Sequence, residues 1–421
     1  MERFMIYNNV FLSLFSDTCL TSFICMPSFS ISRIKKILVI FQVFVIALLF
    51  LQYFQLDQTN YGKVIKSHKF TTTCKRIIKG DRIAIRKAEM IMNHFPKQPF
   101  SPESYIKLAS NCEKFKNERG YFMKALSENE AKFPIGYTIN IHKDIEQFER
   151  LLRAIYRPQN YYCIHVDKKS PDVFHRAVEK IVSCFSNVFI ASRIIEVNWA
   201  EFSGLESTLT CMKDLWERSK LWKYLINLTG QEFPLRTNSE LVDILQKLGG
   251  KSMVYGTQPT NSLIKKRFIY VYNGTKPTRK RKRPFRQNFK FYKGSTYVVL
   301  SRAYINFTLH DQLAKDFLKW VKNTGFPDET YYATLYTNTN FDKRFQNNSY
   351  RPPRIRHVNW GSFGCHGKVV RNVCINGIGD LTRITTEDAL FVNKFHLDYQ
   401  YLALDCLEQW FHNRILTNQM N

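Results

Sequence analysis

Pro327-Asp328-Glu329-Thr330 sets two adjacent carboxylates where a proline-entered helix is expected to begin. A carboxylate facing a cleft can take the proton from an attacking hydroxyl. The same pair also suits the positive end of a helix dipole, and spacing alone favours that capping role. Nearer the C-terminus, Arg371 in RNVCINGIGD and Lys394 in FVNKFHLD are single cations among apolar neighbours. Together they could clamp a diphosphate, although each alone reads as a solvated side chain. The chain contains no Asp-x-Asp, the usual carboxylate seat for a nucleotide-sugar metal, and no metal is expected. It also lacks GxxxxGKS/T and GxGxxG, which argues against nucleoside triphosphate and dinucleotide redox chemistry.

The elements that must position these groups follow from periodicity. Tyr137, Ile139 and Ile141 alternate as a strand does, and Ile145, Phe148, Leu151, Leu152 and Ile155 recur at helical spacing. The alternation continues with strands at 161–166, 187–191 and 224–228 and helices at 173–184 and 207–216. A further strand is expected at 297–300, with helices at 313–321 and 328–335. This order predicts an α/β fold on a parallel sheet, whose ligands bind outside the carboxyl ends of the strands. His142, Asp167, Ser192, Arg193 and Gly230 fall at those ends.

The chain has 421 residues, 44% hydrophobic, with a net charge of +27, so it is too apolar for a disordered chain and is biased toward anionic partners. Residues 37–54 carry no charge and would cover roughly 27 Å as a helix, which suits a membrane anchor. Arg33, Lys35 and Lys36 before the run place that flank in the cytoplasm. The expected organisation is a cytoplasmic tail 1–36, an anchor 37–54, a lumenal stem 55–110 and a globular domain 111–421. Eight cysteines and the sequons at Asn227, Asn273, Asn306 and Asn347 all follow the anchor, as suits an oxidising lumen. Asn227 lies in a strand that reads as buried, leaving Asn273, Asn306 and Asn347 as the glycosylation candidates. The run KPTRKRKRPFRQNFK, 276–290, reads as a solvated basic loop, with contact to an anionic glycan or a lipid headgroup as the functional alternative. Nucleic acid would conflict with a lumenal domain.

LLRAIYRPQNYYCIHVDKKS, SCFSNVFIASR, CMKDL, WKYLINLTGQEFPLRTN, GSTYVVLSR, PDETYYATL, RNVCINGIGD and NKFHLD, in that order, resemble the core-2 and I-branching β-1,6-N-acetylglucosaminyltransferases of glycosyltransferase family 14. The resemblance covers about residues 74–410. It implies a Golgi type II membrane enzyme with a GT-A-like fold and a Rossmann-like parallel sheet. Such an enzyme takes N-acetylglucosamine from UDP-GlcNAc, with inversion and without a divalent metal, to galactose- or GalNAc-containing acceptors. Carried onto this chain, the resemblance makes Glu329 the catalytic base. Arg371 and Lys394 become the cations that replace a metal, His142 and Asp167 hold the uridine, and Trp360 is an acceptor contact. It also implies the disulfides Cys74–Cys406, Cys112–Cys184, Cys163–Cys211 and Cys365–Cys374, which sequence alone leaves among many pairings.

The chain departs from the family at several places. Thr229 replaces a free cysteine, Glu232 replaces the aspartate of the next motif, and the acceptor segment MVYGTQPTNSLIKK has no carboxylate. Ser362 stands where an acceptor-contacting tyrosine is usual. Two alternatives therefore stay open beside the branching transferase: a protein-xylosyltransferase-like activity, and a catalytically silent glycan-binding protein anchored in the membrane.

Overall fold

The computed structural model describes residues 71–286, 289–339, 341, 350–361 and 363–420. The expected anchor, its flanking cations, Asn347 and Ser362 lie outside them. Among the described residues no helix is long and apolar enough to cross a membrane. In chain order the strands are β1 (Ile135–Ile141), β2 (Tyr161–Val166), β3 (Val188–Ile190), β4 (Tyr224–Thr229), β5 (Glu232–Pro234), β6 (Gly256–Thr257), β7 (Tyr270–Asn273), β8 (Lys276–Arg281), β9 (Lys293–Gly294), β10 (Val299–Ser301), β11 (Arg354–Val358), β12 (Lys368–Val370), β13 (Val373–Ile375) and β14 (Ala389–Asn393).

β10, β4, β1, β2 and β3 lie side by side in that order as the main sheet. β4, β1, β2 and β3 run parallel, with Ile139 opposite both Ile164 and Leu228, and β10 closes one edge antiparallel. Parallel strands covered on both faces must be apolar throughout, and β1 is buried at almost every position. Side chains alternate between the two layers. Ile139, Ile164 and Ile226 join the helices Ile145–Ile155 and Asp172–Val182 in one core, while Cys163 and Leu225 join the helix Phe202–Arg218 in another. The expected parallel α/β arrangement is therefore present.

A second sheet, β11-β14-β5, stands beside the first. Its apolar face meets the C-terminal helix Tyr401–Met420 and two N-terminal helices, Thr72–Ile78 and Arg82–His94. The stretch expected as a stem, 55–110, is thus helical and packed from Thr72 onward. Asp81 starts the longer helix by accepting from the amides of Ile83 and Ala84 at 3.0 and 3.1 Å. Ala84, Ala88 and Met92 form its narrow buried stripe. Cys74–Cys406 ties this layer together, and Cys112–Cys184, Cys163–Cys211 and Cys365–Cys374 are also formed. The basic run differs from the expected loop: its first half is β8, paired antiparallel with β7 in a hairpin.

Candidate active site

At the carboxyl ends of the main strands the chain turns outward. His142 follows β1 and opens to solvent, and its main-chain oxygen accepts from Ser170 Oγ at 2.9 Å. Partial burial pushes its imidazole below the ordinary value, and Lys143 and Lys394 add to the effect. Asp167 follows β2 and is mostly buried. Its Oδ1 accepts from the amides of Lys169 and Val197 at 3.0 and 3.3 Å, so the carboxylate closes the 167–197 turn. His165, fully buried in β2 two residues earlier, accepts from the Ile195 amide at 3.0 Å and is held down to about 4 by burial.

Three cations converge above these ends. Lys394 follows β14. Burial lowers its pKa, and so do Lys143 and Arg371, whose charges repel it. Arg371 sits in the two-residue turn between β12 and β13, with φ of 49° there and 63° at Asn372. That turn type favours Asn or Gly, and holding an arginine in the left-handed region costs roughly 1–3 kcal/mol. Among the described residues neither Arg371 nor Lys394 has a carboxylate within ion-pair distance, whereas Lys143 lies 3.4 Å from Asp144. His396 is pushed down to about 4 by burial and by Lys143 and Lys394, so it is neutral at physiological pH. Asn376, whose amide donates to the Lys394 carbonyl at 2.8 Å, is buried with neither side-chain amide atom partnered.

The hairpin that carries Arg371 is held by Cys365–Cys374 and by Asp380, which accepts from the amides of His366 and Gly377 at 3.0 and 2.8 Å. Trp360 pairs with Val373 through a β-bridge and is 63% exposed. It therefore shares the Arg371 hairpin, and the structure records no contact between it and Glu329. The one group of three possible metal ligands among the described residues is Cys365, Cys374 and Asp380, and the disulfide consumes two of them.

Glu329 lies on the first turn of the helix Pro327–Asn338, whose N-cap, Phe326, makes no side-chain capping bond. Both carboxylates stand in the first turn, as the dipole reading expects, and Glu329 Oε2 in addition accepts from Arg267 Nη1 at 2.6 Å, with the Arg267 guanidinium 4.0 Å above the Phe326 ring. The helix is pressed against the β6–β9 ribbon, where a Cβ on Gly294 would come within 2.5 Å of Ala333 Cβ. Asp328, beside it, has its carboxyl pushed up to about 6 by burial and by the charge of Glu329.

The two halves meet through a buried linkage. Glu232 pairs with Arg356 at 2.6 Å, both essentially without exposure, and Thr229 Oγ1 donates to the other Glu232 oxygen at 3.0 Å. The threonine and the glutamate, which each depart from the family pattern, thus complete one network. Arg356 lies over Tyr297 at 5.2 Å, and Tyr297 feels the charges of Asp328 and Glu329. Asn227 is buried in β4 with both side-chain amide atoms bonded, to Thr296 and Val298, while Asn273 and Asn306 are exposed.

Lys143, Arg267 and His396 were not singled out by sequence reasoning. Lys143 directly follows His142, and His396 lies two residues after Lys394, so adjacency was the available signal. Arg267 meets Glu329 across 62 positions and carries no local mark.

Residues 135–385 match the family model described as "Branch: Core-2/I-Branching enzyme". The chain is 36% identical to Beta-1,3-galactosyl-O-glycosyl-glycoprotein beta-1,6-N-acetylglucosaminyltransferase 3 of Homo sapiens, over 81% of this chain and 83% of that one. It is 39% identical to N-acetyllactosaminide beta-1,6-N-acetylglucosaminyl-transferase of Homo sapiens, over 71% and 77%. It is also 37% identical to a Beta-1,3-galactosyl-O-glycosyl-glycoprotein beta-1,6-N-acetylglucosaminyltransferase of Bovine herpesvirus 4, over 85% and 86%. A family match over more than half of the chain, with relatives of this identity along most of their length, makes the chain a glycosyltransferase of the core-2/I-branching enzyme family.

Proposed function

We propose that this chain is a Golgi membrane protein of type II topology with a GT-A-like lumenal domain, anchored by residues 37–54. It transfers N-acetylglucosamine from UDP-GlcNAc in β-1,6 linkage to galactose- or GalNAc-containing O-glycans. The relatives' names support the donor sugar, the linkage and the acceptor class. The observation that carries the reading is that Lys394 feels the charge of Arg371, both without a carboxylate at ion-pair distance among the described residues, and that His142, at the end of β1, feels the charges of Lys394 and Asp167. Such a cluster is incomplete without an anion, and a nucleoside diphosphate supplies one.

In the proposed step the acceptor 6-hydroxyl oxygen attacks the anomeric carbon of the donor, and Glu329 takes its proton. The bond from that carbon to the diphosphate oxygen breaks, and the electron pair leaves on UDP. Arg371 and Lys394 stabilise the charge that develops there, in place of a metal. Arg267 holds the Glu329 carboxylate in one orientation beforehand.

Removing a positioned base costs about 10² to 10⁴ in rate while ground-state binding survives. Glu329→Gln should therefore lose transfer to that extent and still bind UDP, with EDTA leaving the wild-type rate unchanged. Product analysis with UDP-GlcNAc and UDP-xylose on an acceptor array reads both the rate and the donor. Full turnover by Glu329→Gln, or loss of transfer on chelation, would contradict the assignment.

A further inference from the structure

The basic run differs from an ordinary solvated loop in where the fold puts it. The helix Ser262–Ile269 carries Arg267 to Glu329 and then passes directly into β7. The β7–β8 hairpin is pinned to the turn preceding the Glu329 helix. The Tyr272 amide donates to the Asn323 carbonyl at 3.0 Å, and Lys282 Nζ donates to Trp320 O and Thr324 Oγ1 at 2.7 and 2.9 Å. Gly325 lies so close to the Tyr272 ring that a Cβ there would come within 2.6 Å of it. The far end of the hairpin approaches Glu201, two residues beyond Trp199, whose ring meets Phe326 edge-on at 5.3 Å. The hairpin is therefore fixed against the segment that leads into the Glu329 helix, on the same chain stretch that carries Arg267.

The hairpin carries an excess of positive charge, with the Glu201 carboxylate at its far end. Lys276, Arg279, Lys280, Arg281 and Arg283 are all exposed, and none has a carboxylate within ion-pair distance among the described residues. By contrast, the neighbouring cations that shape the hairpin are engaged: Lys282 is half-buried over the Trp320 ring, and Arg286 faces Asp316 at 3.4 Å. Four of these charges lie on the ribbon and Arg283 just beyond it; they repel one another, and a polyanion laid along them relieves that repulsion.

Resting on the reading of Glu329 as the base, we infer that the β7–β8 hairpin is a recognition element for anionic glycan, and that the preferred acceptors carry sulfate or carboxylate groups near the hydroxyl that is glycosylated. A lipid surface would need the same charges to face a leaflet. The hairpin is instead fixed beside the Glu329 helix, and anionic lipid is concentrated on the cytoplasmic leaflet, opposite the domain on the proposed topology.

The test measures binding of the full-length chain in detergent to matched neutral, sialylated and sulfated oligosaccharides, with no turnover required. A variant with Lys276, Arg279, Lys280, Arg281 and Arg283 all changed to Ser is compared, with UDP affinity as the check on folding. Exposed charge contacts are worth factors of about 1.5 to 5 each, so five together should give at least about an eightfold preference for an anionic glycan, lost in the variant and fading with salt. Preference for the sulfated or for the sialylated member supports the inference and identifies the source of the charge. Equal binding of neutral and anionic glycans, an unchanged preference in the variant, or binding to phosphatidylserine vesicles with none to anionic glycan would overturn it. Glu329→Gln should keep the preference, which separates this result from failure of the catalytic assignment.

Discussion

Behind the main sheet, Arg150 and Arg153 on the helix Ile145–Ile155 are buried in full ionic contact; at its front edge, Arg371 and Lys394 approach each other with no carboxylate in reach among the described residues. Arg150 pairs with Asp405 and Glu408, each at 2.7 Å, and Arg153 with Glu408 at 2.8 Å and Glu149 at 3.2 Å. Burial raises the Glu408 carboxyl, but the two arginines outweigh it and hold the group well below its ordinary range. The front cluster shows the reverse imbalance: burial and its fellow cations lower Lys394 in spite of Glu232 and Asp144. The difference teaches how to read a positive charge in this fold. A buried cation that has its anions serves the packing, whereas the half-buried Lys394 and the exposed Arg371, with no carboxylate at ion-pair distance among the described residues, are open to an anionic ligand.

Breaking the paired side should have the largest effect on stability. Glu408→Gln leaves two guanidinium groups buried without their shared partner, which costs about 3–5 kcal/mol. Urea unfolding of the wild type and variant measures it, and an unchanged midpoint would refute the contrast. In the wild type that contribution is present above the unfolded carboxylate value near 4.5 and is lost as pH falls through the depressed folded value.

A smaller effect of opposite sign is expected at Asp328, a carboxylate with no cation at ion-pair distance among the described residues. Its folded value near 6 lies above the ordinary 3.8, so the folded chain holds the proton where the unfolded chain releases it. Ionisation therefore costs stability as pH rises between those values. Asp328→Asn should be more stable than the wild type at neutral pH by roughly 1–3 kcal/mol, and the gain should vanish below pH of about 4. Thermal unfolding at several pH values reads this directly, and a pH-independent difference would contradict it.

The alternating strands and helices from Tyr137 to Leu228 were legible because parallel strands are apolar throughout and their helices keep a 3.6-residue period. The N-terminal helices were not, since Ala84, Ala88 and Met92 make a faint stripe inside a basic, proline-punctuated stretch. β8 was missed for a related reason: Lys276–Arg281 has no apolar alternation, and the strand exists through pairing with Tyr270–Asn273. In the candidate site, Glu329, Arg371 and Lys394 stood in quotable motifs. Lys143 and His396 were passed over beside them. The Arg267 contact with Glu329 and the Thr229–Glu232–Arg356 network arise only when segments distant in sequence are brought together.

The central claim, that the cations without carboxylate partners form the diphosphate seat, is tested most directly by calorimetric titration of UDP into the full-length chain in EDTA. Each charge-assisted contact is worth about 1.5–3 kcal/mol, or roughly 10- to 150-fold in affinity. The account predicts metal-free binding by the wild type, and weakening on that scale in both Arg371→Ala and Lys394→Ala without loss of unfolding midpoint. Binding that requires a divalent ion, or that both variants retain at full strength, would contradict it.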